Sequence, residues 1–360
     1  MNKIDIIAGM AYPRPEFTKS EVKRAGTILI DPKPSKDKLN WAYNVLNNWR
    51  VCHEYPLNTF NATLRNRIKS LGFQNIIVAQ RLKRTPTIIK KLKRFKNMKL
   101  STMQDIGGLR VILKTLKEAY ELENKYLSDK RFTHKLVRRD DYIEEPKPED
   151  GYRSIHLVYK YENKLASEFN GLSIELQIRT TLQHTWATAV ETMGTYLGQA
   201  LKSGEGEKKW RDFFALASSA FTYIEKTPPV PKYSKLGKKG TFKALAKIEK
   251  NIDALNIMSG HSFALYLIKE EKKGKSFYYH LILLDSLNKK VTVNSYAKKD
   301  IKQASIDYTQ AERKATKNKG VEAVLVSAGD LRSLKTAYPN FFLDIKKFIN
   351  QIENIKKRVR

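Results

Sequence analysis

Residues 81–96, RLKRTPTIIKKLKRFK, contain the pattern from which the fold of this chain can be read. Eight of these sixteen residues are Lys or Arg, and none is acidic. A strand is predicted near 75–83, and Thr85-Pro86 predicts an N-cap followed by the first residue of a helix over 86–97. Apolar residues spaced for one buried helix face follow, namely Ile88, Ile89, Leu92 and Phe95. The cations therefore fall largely on the other faces of this helix.

The segment MQDIGGLRVIL (103–113) gives these cations a possible partner. It places Asp105 before a glycine pair and a predicted strand over 109–113. A second acid, Glu175, lies on a strand predicted over 172–179, where apolar and polar residues alternate. Separated carboxylates among many cations suit a Mg²⁺-nucleotide, since carboxylates bind the metal and cations bind phosphates. Two ordinary interpretations compete with a nucleotide site. The cations can simply lie on the solvated surface of a helix, and Asp105 and Glu175 are often salt-bridge partners in such patterns.

Composition restricts the class of protein. The 360 residues are 41% hydrophobic, which predicts a globular chain large enough for two domains. The single cysteine, Cys52, excludes a disulfide framework and a cysteine-based zinc site, and we interpret it as a buried helix residue. The longest apolar runs are too short to span a bilayer, so no membrane association and a cytoplasmic location are expected. The net charge of +31 favours polyanionic partners, although a lysine-rich proteome would also contribute to it.

The order of predicted elements indicates an α+β fold in two domains. Residues 1–225 are predicted to form a mixed β-sheet wrapped by helices. Residues 226–241 contain three prolines and two glycines and are interpreted as a linker. Residues 242–360 would form a smaller α/β domain with strands at 262–269, 277–285, 290–296 and 321–327. In the first domain, a helix over 36–70 is predicted to break or kink at Pro56, and a further strand is predicted at 132–139.

Four motifs occur in a fixed order: R-x-K from Arg81, D-I-G-G-x-R from Asp105, D-G-Y-R-S-I-H up to His156, and E-x-Q-I-R-T from Glu175. Together they resemble the RelA/SpoT nucleotide pyrophosphokinase domain over about residues 81–186. Members of that family transfer the β,γ-diphosphate of ATP to a ribose hydroxyl, with Mg²⁺ as cofactor. In alarmone synthetases the acceptor is the 3′-hydroxyl of GDP or GTP.

The resemblance implies a role for each matching residue. Glu175, Asp105 and Lys91 would be catalytic, and Asp105 and Glu175 would also bind the metal. ATP and its diphosphate would be bound by Arg81, Lys83, Lys90 and Arg110. The acceptor would be bound by Tyr152, His156, Gln177 and Arg179, with Tyr152 stacking on the base. The chain departs from the family before Tyr152, where it has one extra residue and two acids, and this leaves the role of Lys147 open. His184 is interpreted as a core histidine.

The second half of the chain resembles a fused toxin–antitoxin branch of the family, the CapRel-like proteins. The resemblance implies transfer to the 3′ CCA end of tRNA, autoinhibition by the C-terminal domain, and release by a phage capsid protein. Tyr338 and Phe341 match a tyrosine pair that covers the ATP site in that branch, while packing between helices is the alternative interpretation. A tRNA also needs a basic surface outside the pocket, and the candidates without an obvious acidic partner in the sequence are Arg94, Lys96, Lys99, Arg138 and Arg139.

Three functions remain open at this point. The first is a pyrophosphokinase that modifies tRNA in antiphage defence. The second is a (p)ppGpp or (p)ppApp synthetase with a regulatory C-terminal domain. The third is a catalytically inactive RNA-binding protein, which the presence of Asp105, Glu175, Arg81 and Lys83 disfavours.

Overall fold

The chain begins with three helices that pack on a five-stranded sheet. The structure, a computed structural model, describes residues 12–196, 201, 206–255, 258, 279–285, 290–318, 321–327 and 346–359. The helices are α1 (Lys19–Ile28), α2 (Lys36–Val51) and α3 (Glu54–Ser70). A capping box formed by Thr18 and Glu21 begins α1.

The predicted break at Pro56 is wrong in position. The helix over 36–70 is interrupted at Cys52 and His53, and Pro56 lies in the first turn of α3. A proline is tolerated there because the first N–H groups of a helix have no intrahelical partner. Cys52 is fully buried, as predicted.

The first sheet is mixed and has the order β1-β2-β5-β4-β3. Its strands are β1 (Ile77–Leu82), β2 (Gly107–Leu113), β3 (Lys135–Asp141), β4 (Ile155–Lys160) and β5 (Ser173–Thr180). Only β2 and β5 pair in parallel among these strands, and the other neighbours are antiparallel. Helix α4 (Thr85–Arg94) follows β1, and α5 (Leu116–Ser128) follows β2. The predicted α+β class with a mixed sheet is confirmed.

A second, three-stranded sheet lies in the C-terminal part. Its strands are β6 (Tyr279–Asp285), β7 (Lys290–Tyr296) and β8 (Val321–Ser327), in the antiparallel order β7-β6-β8. Helix α9 (Ile301–Lys317) packs on β6 and β8 and also contacts α4. Strand β8 contacts β1, so this part of the chain adjoins the first sheet at its β1 edge. The strand predicted at 262–269 lies outside the described residues.

A second hydrophobic core joins residues from both sides of the predicted linker. Its helices are α6 (Thr181–Tyr196), α7 (Lys208–Glu225), α8 (Gly237–Ile252) and α10 (Lys346–Lys357). Phe348 of α10 is fully buried against the rings of Phe213, Phe214 and Phe221 of α7. The segment predicted as a linker includes a short 3-10 helix over Pro231–Leu236 and the start of α8. A domain boundary at 226–241 stays a prediction, and it would divide this shared core.

No helix within the described ranges is long and apolar enough to cross a membrane.

The shared core gives a stability prediction. Phe348→Ala removes a buried ring and leaves a cavity, so we expect the free energy of unfolding to fall by about 3–5 kcal/mol. Urea denaturation of the full chain measures it. The control is Leu165→Ala, because Leu165 is 92% exposed and its truncation should change stability by less than about 0.5 kcal/mol. Equal stability of both variants would contradict a core that spans the predicted linker.

Candidate active site

The register of the first sheet brings the predicted motifs into rows on one face. Arg81 of β1 pairs with Gly108 of β2, and Gly108 pairs with Glu175 of β5. The next row, two residues along, contains Arg110, Gln177, His156 and Asp140. Side chains two positions apart on a strand point to the same face. Residues from four distant motifs therefore meet on one surface.

The two glycines of β2 face opposite sides of the sheet: Gly107 faces the core, and Gly108 faces the site. A Cβ on Gly107 would lie 2.7 Å from Ile174 Cδ1, so close packing on the buried side excludes any larger residue there. A Cβ on Gly108 would meet nothing closer than the carbonyl oxygen of Arg81 at 3.8 Å. Gly108 thus leaves open space between Arg81 and Glu175, on the face where the polar side chains gather.

Asp105 binds two lysines from different elements. Its Oδ2 accepts hydrogen bonds from Lys83 Nζ at 2.9 Å and from Lys91 Nζ at 2.8 Å. Burial alone would raise the pKa of Asp105, but the two ammonium groups outweigh it and the pKa is lowered. Burial lowers the pKa of Lys83, while Asp105 opposes this shift. Two lysines, which can bind phosphate, are therefore in direct contact with a carboxylate that can bind a metal.

Five side chains beside this cluster form a closed ring of hydrogen bonds. Glu175 Oε1 contacts His156 Nδ1 at 3.1 Å, and His156 Nε2 contacts the Tyr152 hydroxyl at 2.7 Å. Arg179 donates to Tyr152 at 2.6 Å and to Gln177 Oε1 at 3.0 Å. Gln177 donates back to Glu175 Oε2 at 2.7 Å. Each member fixes its two neighbours, so the orientation of the Glu175 carboxylate is determined by the whole ring.

The ring has strongly shifted protonation equilibria. Burial disfavours the imidazolium of His156, but Tyr152 and Glu175 outweigh burial and raise the pKa to about 9. Burial also opposes ionisation of Tyr152, yet Arg179 and His156 lower its pKa to about 8. For Glu175, His156 and Gln177 overcome burial and hold the pKa far below its usual value. Glu175 is therefore ionised and His156 protonated at neutral pH.

These residues line a cavity of about 290 Å³. Of the predicted site residues, it brings together Arg81, Lys83, Lys91, Asp105, Arg110, Arg138, Tyr152, His156, Glu175, Gln177 and Arg179. Lys90 is exposed on α4 and does not line the cavity, contrary to its predicted position beside the diphosphate. Lys96 and Lys99 are exposed at the end of this segment. Tyr338 and Phe341 lie outside the described residues.

Two of the predicted tRNA-surface residues have acidic partners. Arg138 pairs with Asp140 at 2.8 Å, and Arg139 pairs with Glu123 at 2.8 Å and with Asp141 at 3.3 Å. The absence of acidic neighbours inferred from the sequence is wrong, because β3 ends in two aspartates and α5 supplies Glu123. A large part of the charge on Arg138 and Arg139 is thus balanced within the protein.

The sequence analysis missed Tyr142, which lines the cavity next to Tyr152. The ammonium of Lys147 lies 4.5 Å from the centre of the Tyr142 ring and 5.4 Å from that of Tyr152. Lys147 therefore does reach the site, despite the altered segment before Tyr152. The irregular segment 143–151 separates the two tyrosines in sequence. Tyr142 is identified as a site residue only by its contact with Tyr152 in the structure.

The acidic residues fit a magnesium ion. Asp105 Oδ1 is buried and accepts no hydrogen bond from any residue within the described ranges. Asp105 and Glu175 line the same cavity, and the charge of Glu175 raises the pKa of Asp105 against the effect of the lysines. The part of the chain that the structure describes contains no cluster of three or more His, Cys, Asp or Glu able to hold a metal alone. Asp105 and Glu175 would share Mg²⁺ with water and substrate phosphates, as this metal usually requires.

Residues 80–199 match the family model described as the region found in RelA and SpoT proteins. This segment of the chain therefore resembles the RelA/SpoT region. It covers every motif from the end of β1 to α6, and it contains Asp105, Glu175 and the complete hydrogen-bonded ring.

Relatives of the RelA/SpoT region have been described in bacteria. The GTP pyrophosphokinase YjbM of Bacillus subtilis is 38% identical over 114 residues, which are 31% of this chain and 52% of that protein. The GTP pyrophosphokinase YwaC of the same species is 34% identical over 116 residues, 30% of this chain and 52% of that protein. The chain thus spans about half the length of these relatives. The small alarmone synthetase 1 structure from Bacillus subtilis is 25% identical, with a TM-score of 0.43, and the match covers 50% of this chain and 92% of that one.

The ring predicts a pH dependence of stability. The pKa of His156 rises from 6.5 to about 9 on folding, so its contribution is complete below pH 6.5 and is lost as pH rises through 9. We expect the stability difference between wild type and His156→Gln to shrink by roughly 2–3 kcal/mol over this interval. Urea denaturation at a series of pH values measures it. A difference that stays constant from pH 6.5 to above 9 would show that His156 is not charged in the folded state.

Proposed function

We propose that this chain is an ATP-dependent diphosphotransferase, a pyrophosphokinase of the RelA/SpoT type. The observation that carries the proposal is the position of Asp105 and Glu175 at one cavity together with Arg81, Lys83 and Lys91. Transfer of a charged phosphoryl group depends mainly on positioning and charge neutralisation, and this arrangement supplies both. ATP is the donor, and a ribose 3′-hydroxyl is the acceptor.

In the proposed reaction, the acceptor oxygen forms a bond to the β-phosphorus of ATP. The bond between that phosphorus and the α,β-bridging oxygen breaks, and AMP leaves. Lys83 and Lys91 exchange their contact with Asp105 for the phosphate oxygens of ATP. Bound Mg²⁺ would neutralise charge on the diphosphate. The ring holds the ionised Glu175 as a hydrogen-bond acceptor for the attacking hydroxyl, and Glu175 takes the proton as the new bond forms and passes it to water.

The preferred acceptor is the 3′ CCA end of tRNA. Beyond the cavity, α4 and the residues after it present Lys90, Lys93, Lys96 and Lys99 to solvent. Phe95 is 46% exposed among these lysines, with the Arg94 guanidinium 5.3 Å from its ring centre. Cations interspersed with an exposed aromatic ring suit a nucleic-acid backbone and a stacked base. A mononucleotide acceptor would not need this surface, because it has no further nucleotides to place outside the cavity.

The alternative is an alarmone synthetase that uses GDP, GTP or an adenosine nucleotide. The names of the two Bacillus relatives favour it, since both are described as GTP pyrophosphokinases. Incubation with ATP labelled at the γ-phosphate, in the presence of both tRNA and mononucleotides, separates the two. Label on tRNA supports the preferred function, whereas labelled mononucleotide alone supports the alternative. Absence of label on any acceptor, with the Tyr338→Ala and Phe341→Ala double variant as well as with the wild type, would contradict both and favour a binding protein.

Glu175→Gln tests the catalytic assignment. The substitution keeps the size of the side chain and removes the charge, so we expect transfer to fall by about 10²–10³-fold or more. Transfer of label from ATP measures it, with circular dichroism as the check on folding. Glu121→Gln on the exposed face of α5 is the matched control and should keep full activity. A folded Glu175→Gln protein with wild-type activity would refute the role of Glu175.

The tRNA surface is tested by replacing Lys96 and Lys99 with Gln. Loss of phosphate contacts should raise the KM for tRNA about tenfold at low salt and make tRNA binding less dependent on salt concentration. The KM for ATP should not change. The control replaces Lys243 and Lys247, which are exposed on α8 away from the cavity. A KM for tRNA equal in both double variants would contradict this surface.

We also propose that the C-terminal part restrains the enzyme until a phage capsid-type protein binds it. The support is the CapRel-like resemblance, together with the contact of β8 with β1, the strand that leads into the site. Tyr338→Ala combined with Phe341→Ala in the full chain should raise activity without trigger and increase toxicity on expression. These variants are preferable to truncation after Glu225, because truncation removes α8 and α10 from the second core. Unchanged activity and toxicity would contradict the role of this pair.

A further inference from the structure

Three buried side chains hold the junction between β1 and α4. Arg50 of α2 donates from Nε to the carbonyl oxygen of Lys83 at 2.8 Å and from Nη2 to the Tyr308 hydroxyl at 2.9 Å. Glu312 Oε1 accepts a hydrogen bond from the backbone N–H of Thr85 at 2.9 Å, and it also accepts one from Tyr308. Arg50 and Tyr308 are each 4% exposed and Glu312 is 8% exposed. Tyr308 and Glu312 belong to α9, more than 200 residues away in sequence.

Helix α4 needs such a partner at its start. The first N–H groups of a helix have no acceptor within the helix, and a side-chain oxygen at the N-cap normally supplies one. The N-cap here is Arg84, not Thr85 as the sequence predicted, and an arginine side chain has no acceptor atom. The first turn of α4 also contains no acidic residue. Glu312 supplies both an acceptor and the negative charge that a helix N-terminus favours.

The junction sets the position of the groups that would bind phosphate. Lys83 lies just before it and Lys91 lies two turns into α4, and both reach Asp105. None of the described residues of α9 lines the cavity, so α9 acts on the site through the backbone of 83–85. Arg50 joins the two sides, because it contacts the Lys83 carbonyl with one nitrogen and Tyr308 with another. Loss of one partner would leave a buried charge or donor unsatisfied.

We propose that Arg50, Tyr308 and Glu312 are positioning residues for the ATP-binding segment, so that a helix from the C-terminal part completes the support of the donor site. This rests on the proposed function, because it takes ATP as the ligand of Lys83 and Lys91. It differs from restraint by Tyr338 and Phe341, since the docked α9 favours ATP binding. Removing the contact should weaken ATP binding, whereas removing a restraint would strengthen activity.

The test uses the full chain with Glu312→Ala, Glu312→Gln and Tyr308→Phe. The dissociation constant of a non-hydrolysable ATP analogue is measured by calorimetry, and KM and kcat are measured by transfer of label. We expect Glu312→Ala to weaken ATP binding about tenfold or more. Glu312→Gln should restore part of the affinity, since the amide keeps an acceptor oxygen but not the charge. The KM for the acceptor should stay unchanged, and Gln310→Ala, exposed on α9, is the matched control.

Hydrogen exchange of backbone amides provides the second measurement. The peptide that contains Thr85 should exchange faster in Glu312→Ala and Tyr308→Phe, while peptides from α7 should exchange as in wild type. This result would distinguish a local loss of support from general unfolding. Should Glu312→Ala fail to fold, Glu312→Gln and Tyr308→Phe still test the contact, because both conserve volume.

The outcomes separate this proposal from the proposed function. Wild-type ATP affinity in all three variants, or increased activity in any of them, would overturn the positioning role while leaving the diphosphotransferase intact. Because the C-terminal part is proposed to restrain the enzyme, the full chain with Tyr338→Ala and Phe341→Ala is measured beside the wild type. If this unrestrained chain binds the ATP analogue but transfers no label, the proposed reaction is overturned, and the affinity series still tests the support of the donor site. If neither chain binds the ATP analogue, both proposals are overturned.

Discussion

The contact of Asp105 with Lys83 and Lys91 is the interaction on which the donor side of the site depends. Two ammonium groups held this close would repel each other, and both are partly removed from water. The carboxylate between them offsets that repulsion and connects the end of β1, the second turn of α4 and the approach to β2. In the proposed reaction a phosphate chain would replace the carboxylate on the lysines, and Asp105 would become available to a metal. Binding of nucleotide and of metal would then be coupled through one exchange of partners.

The acceptor side is built differently. Glu175 lies in the same row of the sheet as Arg81, but its charge is balanced by the ring through His156 rather than by a lysine. Four of the five members of the ring come from the neighbouring strands β4 and β5, whose pairing fixes their spacing, and Tyr152 lies three residues before β4. The donor side can rearrange when substrate binds, while the acceptor side is already ordered. This division suits a reaction in which the attacking hydroxyl must meet a phosphorus atom along one direction.

Sequence reasoning was most successful where a residue's role is determined locally. Alternation along β5 and the fixed order of four motifs were sufficient to predict the mixed sheet, and most of the residues that line the cavity follow from the resemblance these motifs carry. It overlooked the neighbouring acids of β3, Asp140 and Asp141, which pair with Arg138 and Arg139. It also failed where the partner is distant in the chain: Glu123 of α5 pairs with Arg139, and Tyr142 becomes a site residue only through the path of 143–151. The start of α4 was misplaced by one residue for a similar reason. Thr85 resembles an N-cap, but the acceptor that decides the helix start is Glu312, from a part of the chain that no local pattern relates to it.

Tyr152 contributes to both the hydrogen-bonded ring and the second hydrophobic core. Its hydroxyl is part of the ring, and its aromatic body packs in the core beside Trp186. That core is closed by Phe348 and Ile352 of α10, both fully buried. During synthesis on the ribosome, the motifs of the RelA/SpoT region emerge about 150 residues before these two side chains exist. The core that surrounds the aromatic body of Tyr152 is therefore complete only after Ile352 has been added, so the order of synthesis delays its closure until the C-terminal segment is present.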